Sequence, residues 1–410
     1  MTLFGRLFNA SLEDPEVPIS SANVVELFGG ELKNDAGVDV NEKKALGIMA
    51  VWCAVTLISG TIASLPLHAY KAGDSGERVR LPGTSAAAKL LASPHPDLTP
   101  FELWETVLSH MLLWGNAFLW KAPFEGQKGI AGLHLIHPSR VKVGRVKSGK
   151  LAGRKIFALD GSEPFTEDEI LHIPGFGYDG TCGVSPIRAA RQGLGLALAA
   201  EKFGAKLFGS GSLATGVLQT DARLTKPQAD ALAKRWREKR AGLESAHSTL
   251  ILDSGAKFQQ LTIPPEDAQF LESRRFQISE IARLFRVPPH MLMDTDKSTS
   301  WGSGIEQQSI GFVVFTLRPW LTRIEQRVTR IIAPEKAYAR FSIEGLLRGD
   351  AAARKEFYTG LWNLGALSTN EIRGLEDMAP VEGGDVRYRP LNMGELGTTD
   401  STPTGVPDAS

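Results

Sequence analysis

The sequence predicts an α+β protein in which strands and helices occupy separate stretches. Between residues 117 and 173 short apolar runs alternate with turn residues, a pattern typical of antiparallel strands. From Gly183 to Gln308 the apolar spacing predicts two long helices that form a hairpin with a small domain at its tip. A third observation is an uncharged helical stretch, residues 45–64, which indicates a helix packed within the protein.

Composition limits the function classes. The chain has 410 residues, 46 basic and 46 acidic side chains and no formal net charge, which is enough for two or three modules with cores. Zero net charge argues against a protein that coats nucleic acid, because such binding depends on neutralising phosphates. It leaves open a protein past which DNA slides. The two cysteines, Cys53 and Cys182, lack metal-ligand spacing and predict a reducing, cytoplasmic setting.

The N-terminal part contains an arm and then the uncharged stretch. Residues 1–40 are polar, contain Pro and Gly, and are predicted to order on assembly; the start lacks signal-peptide features. The stretch from Ala45 to Leu67 is long enough to span a bilayer. Its larger apolar residues nevertheless share one helical stripe, which favours a helix inside a protein over a membrane span. These residues are Ile48, Val51, Val55, Ile58, Ile62 and Leu65.

The body elements follow in order. Residues 67–71 predict a strand, and the capping sequence at Thr99 predicts a helix that Gly115 and Asn116 end. Short strands are predicted at 118–120, 133–136, 141–143, 155–158 and 170–173.

The hairpin has its own start and stop signals. Its first helix opens at Ser185 and Pro186, and its second lies between Pro265 and Pro288. The tip domain is predicted as strand 216–219, helix 225–240 and strand 249–252. A Ser- and Gly-rich loop, a long helix from about Glu306, helices 350–364 and 369–375, and a disordered tail 394–410 complete the chain.

Several patterns resemble catalytic or cofactor sites but are incomplete. Residues 144–150 approach a phosphate-binding loop, but Leu151 replaces the magnesium-binding hydroxyl and no helix follows, so we predict a hairpin turn. The glycines of residues 175–180 end before the helix that should bind pyrophosphate, which favours a turn-rich connection. His134, His137 and His172 lack a shared face and ligand spacing, and Asp294 and Asp296 are predicted as a surface or helix-entry pair. The sequence therefore predicts no catalytic residue, cofactor or metal.

One basic cluster has two open interpretations. Thr225 begins a helix through a capping box with Gln228, and five cations follow within seven residues. They are Lys234, Arg235, Arg237, Lys239 and Arg240. Either they form a solvated helix face with extended side chains, or they bind an acidic partner surface or nucleic acid.

Taken together, the chain resembles the portal proteins of tailed bacteriophages, of the siphophage type. The resemblance covers about residues 40–390. The segments that show it are VWCAVTLISGTIASLPL (51–67), LHIP (171–174), GVSP (183–186), IARLFRVPPH (281–290), LRPWLTRIE (317–325), LSTNEIR (367–373) and PVEGG (380–384).

The resemblance implies a structural, non-catalytic ring, typically a dodecamer, at one capsid vertex, through which DNA is packaged and later ejected. It implies as partners other copies of the chain, the terminase large subunit, the major capsid protein, head-tail connector proteins and double-stranded DNA, but no membrane. The protein would lie in the virion, and in the host cytoplasm during assembly. The implied organisation is N-terminal arm 1–40, wing 41–184, stem helix 185–211, clip 212–262, stem helix 263–290, tunnel loop 291–305, tunnel helix and return to the wing 306–349, crown 350–393 and disordered tail 394–410.

Two site expectations follow from this resemblance. The clip cations would face the terminase and later the connector proteins. The tunnel loop would line the channel through Lys297, Ser298, Thr299, Ser300, Trp301, Gly302, Ser303 and Gly304. Trp301 either packs back on the following helix, which we favour, or points at DNA. The competing hypothesis is an enzyme with an unrecognised nucleotide-dependent site in residues 117–173, built on Lys150.

Overall fold

A computed structural model describes residues 34–74, 76–124, 129–146, 152–159, 163–209, 216–219, 225–231, 234, 257–260, 267–293, 308–343, 351–376 and 378–388. The chain divides into two units, residues 1–342 and 343–410. The described part of the first unit combines helices with short antiparallel sheets, as the α+β prediction requires.

The first unit begins with helices. In chain order its first elements are α1 (Glu42–Ala45), α2 (Met49–Ala63), β1 (Leu67–Ala72), β2 (Arg78–Arg80), α3 (Ala86–Ala92) and α4 (Pro100–Trp114). The predicted stripe on α2 is confirmed, because all six of its residues are buried. The helix α4 starts with the predicted capping box between Thr99 and Glu102 and ends at Gly115 in the left-handed conformation.

Strands of the body follow: β3 (Asn116–Pro123), β4 (Ile130–Ile136), β5 (Val141–Arg145), β6 (Lys155–Leu159), β7 (Phe165–Thr166) and β8 (Ile170–Pro174). Two antiparallel sheets result, with the orders β4-β3-β8 and β5-β6-β7. A shared cluster of Phe118, Val143, Phe157 and Ile170 joins them in the core.

The hairpin helices are confirmed with one difference. The first is split into α5 (Pro186–Ala189) and α6 (Arg191–Gly209), because Ala190 leaves helical geometry. The second is α7 (Asp267–Phe285), which packs against α6. At the tip, β9 (Gly216–Gln219) pairs with β10 (Lys257–Gln260), a strand that the sequence analysis missed, and residues 226–231 are helical. The predicted strand 249–252 lies outside the described residues.

The chain then returns to the body. A π-helical segment (Phe312–Leu317) leads into α8 (Arg318–Ile332), and β11 (Tyr338–Phe341) completes a three-stranded sheet of order β11-β1-β2. The second unit contains α9 (Ala351–Asn363) and α10 (Thr369–Leu375), both close to their predicted positions. No helix among the described ranges combines the length and apolar content needed to cross a membrane.

Candidate functional site

The base of the hairpin is built around Asn116, the first residue after α4 and its left-handed Gly115. Asn116 Oδ1 accepts hydrogen bonds from Gly183 N (2.8 Å) and from His172 Nε2 (2.9 Å), and Asn116 Nδ2 donates to Gly183 O (2.7 Å). One amide therefore connects β3, β8 and the loop that enters the first hairpin helix. Since Asn116 and His172 are buried, this arrangement fixes the direction in which the hairpin leaves the body.

Glycines let three backbone segments meet at this point. Gly175 N donates to Gly115 O at 2.7 Å. A Cβ atom on Gly183 would lie 1.9 Å from Gly115 O, and one on Gly115 would lie 2.3 Å from Val184 O. No side chain fits at either position, because real Cβ atoms do not approach backbone oxygens so closely.

The first hairpin helix is tied to the body a second time. Ser185 caps α5 by accepting from Arg188 N, and its hydroxyl donates to Leu113 O at 2.6 Å. The buried carboxylate of Glu42 on α1 pairs with Arg188 Nε at 3.0 Å. Losing Arg188 would leave the buried Glu42 carboxylate without this partner, which is costly, so the pair positions the start of the helix.

Cations hold the loop of residues 175–182 by its carbonyl groups. Arg323 Nη1 donates to Gly175 O (2.7 Å), and Lys155 Nζ donates to Gly180 O (3.2 Å) and Thr181 O (2.8 Å). Burial lowers the pKa of Lys155 and of Arg323. Backbone N–H groups here are occupied too, since Thr181 N and Cys182 N donate to Asp179 Oδ1. Residues 175–185 form bends and coil, and the next helix begins only at Pro186, so the turn-rich connection is confirmed.

The pattern that approaches a phosphate-binding loop, residues 144–150, lies between two strands. The described residues on either side of 147–151 form an antiparallel hairpin, with Arg145 opposite Lys155 and Val146 N donating to Arg154 O at 3.0 Å. Among the described flanking residues, 144–146 and 152–155, none begins a helix. The flanking strands therefore pair as a hairpin requires, and the predicted turn itself lies outside the described residues.

The candidate histidines lie in separate environments. His172 stacks on Phe118 with ring centroids 4.7 Å apart, and burial lowers its pKa well below 6.5. His134 contacts His95, whereas His137 contacts Trp114 and His110. Burial, and secondarily His137, lowers the pKa of His110 to about 4, so its ring is neutral at pH 7. Within the described ranges no three His, Cys, Asp or Glu side chains are placed to hold a metal ion.

The junction beside the predicted tunnel loop is described, although the loop is not. A groove of about 520 Å³ lies between the end of α7, residues 286–289 and the π-helical segment. Thr316 Oγ1 donates to Arg286 O at 2.5 Å, and Val287 N donates to Ala282 O at 2.9 Å. The chain leaves this junction at Met293, and its described part resumes at residue 308 in the helix that leads into the π-helical segment.

The predicted site residues themselves fall mostly outside the described part of the chain. This holds for all eight tunnel-loop residues, 297–304, for Asp294 and Asp296, and for the clip residues Arg235, Arg237, Lys239 and Arg240. Lys234 is described and is an exposed helical residue. Sequence reasoning missed the role of Asn116, because its partners His172 and Gly183 lie far from it in the chain.

Comparison with known proteins matches this architecture to one family. Residues 49–377 match the family model described as phage portal protein. The probable portal protein of Streptomyces phage phiC31 is 37% identical over 96% of this chain and 89% of its own length. The portal protein of Enterobacteria phage HK97 is 34% identical over 85% of this chain and 83% of its own length.

Solved structures show the same fold. The crystal structure of a HK97 family phage portal protein from Corynebacterium diphtheriae matches with a TM-score of 0.56 at 19% identity, covering 75% of this chain and 96% of that one. A chain in the neck of an empty GTA particle, computed with C6 symmetry, matches with a TM-score of 0.55 at 22% identity, covering 83% and 94%. With the family model and two relatives above 30% identity, the chain belongs to the phage portal protein family.

Proposed function

We propose that this chain assembles into a closed ring, with a channel along its axis through which duplex DNA enters a capsid and later leaves it. The observation that carries the ring is the exposure of large apolar side chains on the two hairpin helices. Leu196 and Phe203 on α6 are 57% and 59% exposed, and Phe276 on α7 is 59% exposed. Subunit contacts would remove such surface from water. Chains of similar fold belong to the necks of GTA particles, computed with C6 and C12 symmetry.

The proposal also assigns partners and location. The ring would be a dodecamer at one vertex of the virion, formed in the host cytoplasm and contacting the major capsid protein, the terminase large subunit and head-tail connector proteins. Membership of the portal family supports these partners and this location. The overall neutral charge supports the passage of DNA, because a neutral conduit does not retain DNA. No observation favours the alternative, an enzyme with a site in residues 117–173.

Ring formation is tested by particle imaging and mass photometry of the purified protein. We expect closed rings with a central opening, because the exposed apolar hairpin residues need a neighbouring subunit to cover them. A matched sample in high salt controls for weak electrostatic association, which salt would screen. Monomers or dimers alone under every salt condition would contradict the proposal.

The clip cations are proposed to dock an acidic surface of the terminase. Lys234 is exposed on the tip helix, which supports this role, as do the four cations that follow it in the sequence. Changing Lys234 and Arg237 to Glu is expected to leave ring assembly intact and to weaken terminase binding, more strongly at low salt. Binding measured on rings checked by imaging is the readout, with Lys226→Glu as a control outside the cluster. Normal binding by the double variant would leave only the solvated-face interpretation.

A further inference from the structure

The outward face of α2 carries no charge although it is open to solvent. Met49 is 74% exposed and Trp52 is 53% exposed, whereas Ile58 on the opposite face is fully buried. No Asp, Glu, Lys or Arg occurs between residues 45 and 67. Surface helices ordinarily carry charged side chains on their solvent side, so this face differs from a solvated one. We refer to Met49, Trp52, Cys53, Thr56 and Leu57 as the α2 face.

The polar groups near this face are bonded to their own helix. Thr56 Oγ1 donates to Trp52 O at 2.8 Å, and at the end of the helix Ser64 Oγ donates to Thr61 O at 2.7 Å. Neither hydroxyl proton is available to water or to a polar partner. The face therefore presents mainly methyl, sulfur and aromatic groups, and covering it would gain hydrophobic free energy with little loss of hydration.

The chemistry of the α2 face limits the kinds of molecule that can bind to it. Duplex DNA is excluded, because the face has no cation to neutralise a phosphate. An acidic or basic protein surface is disfavoured too, since its charges would find no counter-charge here. Met and Trp with few charged residues are typical of the centre of a subunit interface, and Trp residues often contribute most of the binding energy there.

From these observations we infer that the α2 face is a permanent contact with a second copy of this chain. The inference rests on the proposed ring, in which every subunit touches its neighbour through two different surfaces. Permanent contacts between copies are more apolar than transient contacts with other proteins, which matches an uncharged face and argues against a transient partner such as the terminase. The helix is about 22 Å long, so its face fits the centre of a standard interface.

Cys53 provides a native reporter for this contact because it lies on the face next to Trp52. The other cysteine, Cys182, is a poor competitor, since burial raises the pKa of its thiol to about 12. Imaged rings and separated subunits are treated with iodoacetamide near pH 8, and alkylation of Cys53 is followed by mass spectrometry. We expect alkylation at least about tenfold slower in rings, since a covered helix face reacts only when it opens locally.

A charge placed on the face gives an independent test. Trp52→Glu is expected to prevent ring formation while leaving the circular dichroism spectrum unchanged, because Trp52 does not contribute to the buried stripe. Phe124→Glu is the matched control, an aromatic residue that is 45% exposed elsewhere in the first unit, and it should still form rings.

Three results would overturn the inference. The first is that Cys53 in intact rings is alkylated as fast as in separated subunits. The second is that Trp52→Glu still forms rings. The third is that Cys53 is alkylated as slowly in separated subunits as in rings, which would mean that the chain covers its own α2 face. A wild type that forms no rings would instead overturn the ring proposal, and this inference with it. Imaging therefore separates failure of the α2 contact from failure of the proposed function.

Discussion

Replacing Gly183 with Ala is expected to destabilise the folded body by at least about 3 kcal/mol, at the upper end of overpacking costs. The added Cβ would lie 1.9 Å from Gly115 O and 2.7 Å from Gly175 N, two backbone atoms that are hydrogen-bonded to each other. Neither atom belongs to a flexible side chain that could move aside. Relief requires Gly183 to shift, which would stretch its hydrogen bonds to Asn116.

Thermal and urea unfolding of the purified protein measure this effect. A loss of this size is a large share of the stability of an ordinary domain, so we expect a clear fall in melting temperature or a loss of soluble protein. Gly193→Ala is the matched control, because Gly193 lies within α6 with open space around it. There the added methyl should leave stability unchanged or raise it by up to about 1 kcal/mol. Similar melting of Gly183→Ala and the wild type would contradict this account of the junction.

Changing both Gly302 and Gly304 to Pro is expected to stop or strongly slow DNA passage through rings that still assemble. Both glycines belong to the proposed tunnel loop and can adopt backbone angles closed to other residues, whereas proline fixes φ near −65°. A loop that must deform as DNA moves past it would lose that freedom. Ring assembly should persist, since the proposed subunit contacts lie on the helices.

A packaging assay on rings already checked by imaging is the measurement. Ser298→Ala serves as the control, because it removes a hydroxyl in the same loop without restricting the backbone. Packaging at the wild-type rate by the double-proline ring would show that the loop neither moves nor touches DNA. The placement of the channel along residues 297–304 would then be wrong.

Local signals in the sequence predicted most of the helices and strands. Ser185 with Pro186, the capping box at Thr99 and the left-handed Gly115 mark helix ends through interactions within a few residues, so they could be recognised without knowing the fold. The buried stripe of α2 was predicted equally well, because helical periodicity alone places its residues on one side.

Strands whose assignment depends on a partner distant in the chain were not predicted from the sequence. The strand β10 has the sequence Lys-Phe-Gln-Gln, which carries little strand signal, and its assignment depends on pairing with β9 about forty residues earlier. The short strands β2 and β7 were missed for the same reason, since each is defined by the neighbour to which it bonds.

The α+β class, the two hairpin helices, the uncharged α2 and the incomplete phosphate and dinucleotide patterns could all be predicted from the residues alone. They depend on short-range spacing and on which side chains are present. Three features became visible only in the folded chain: Asn116 joins β3, β8 and the hairpin, cations bind the carbonyls of Gly175, Gly180 and Thr181, and one face of α2 stays open to solvent. Each of these features depends on residues far apart in the chain, so no local pattern could reveal it.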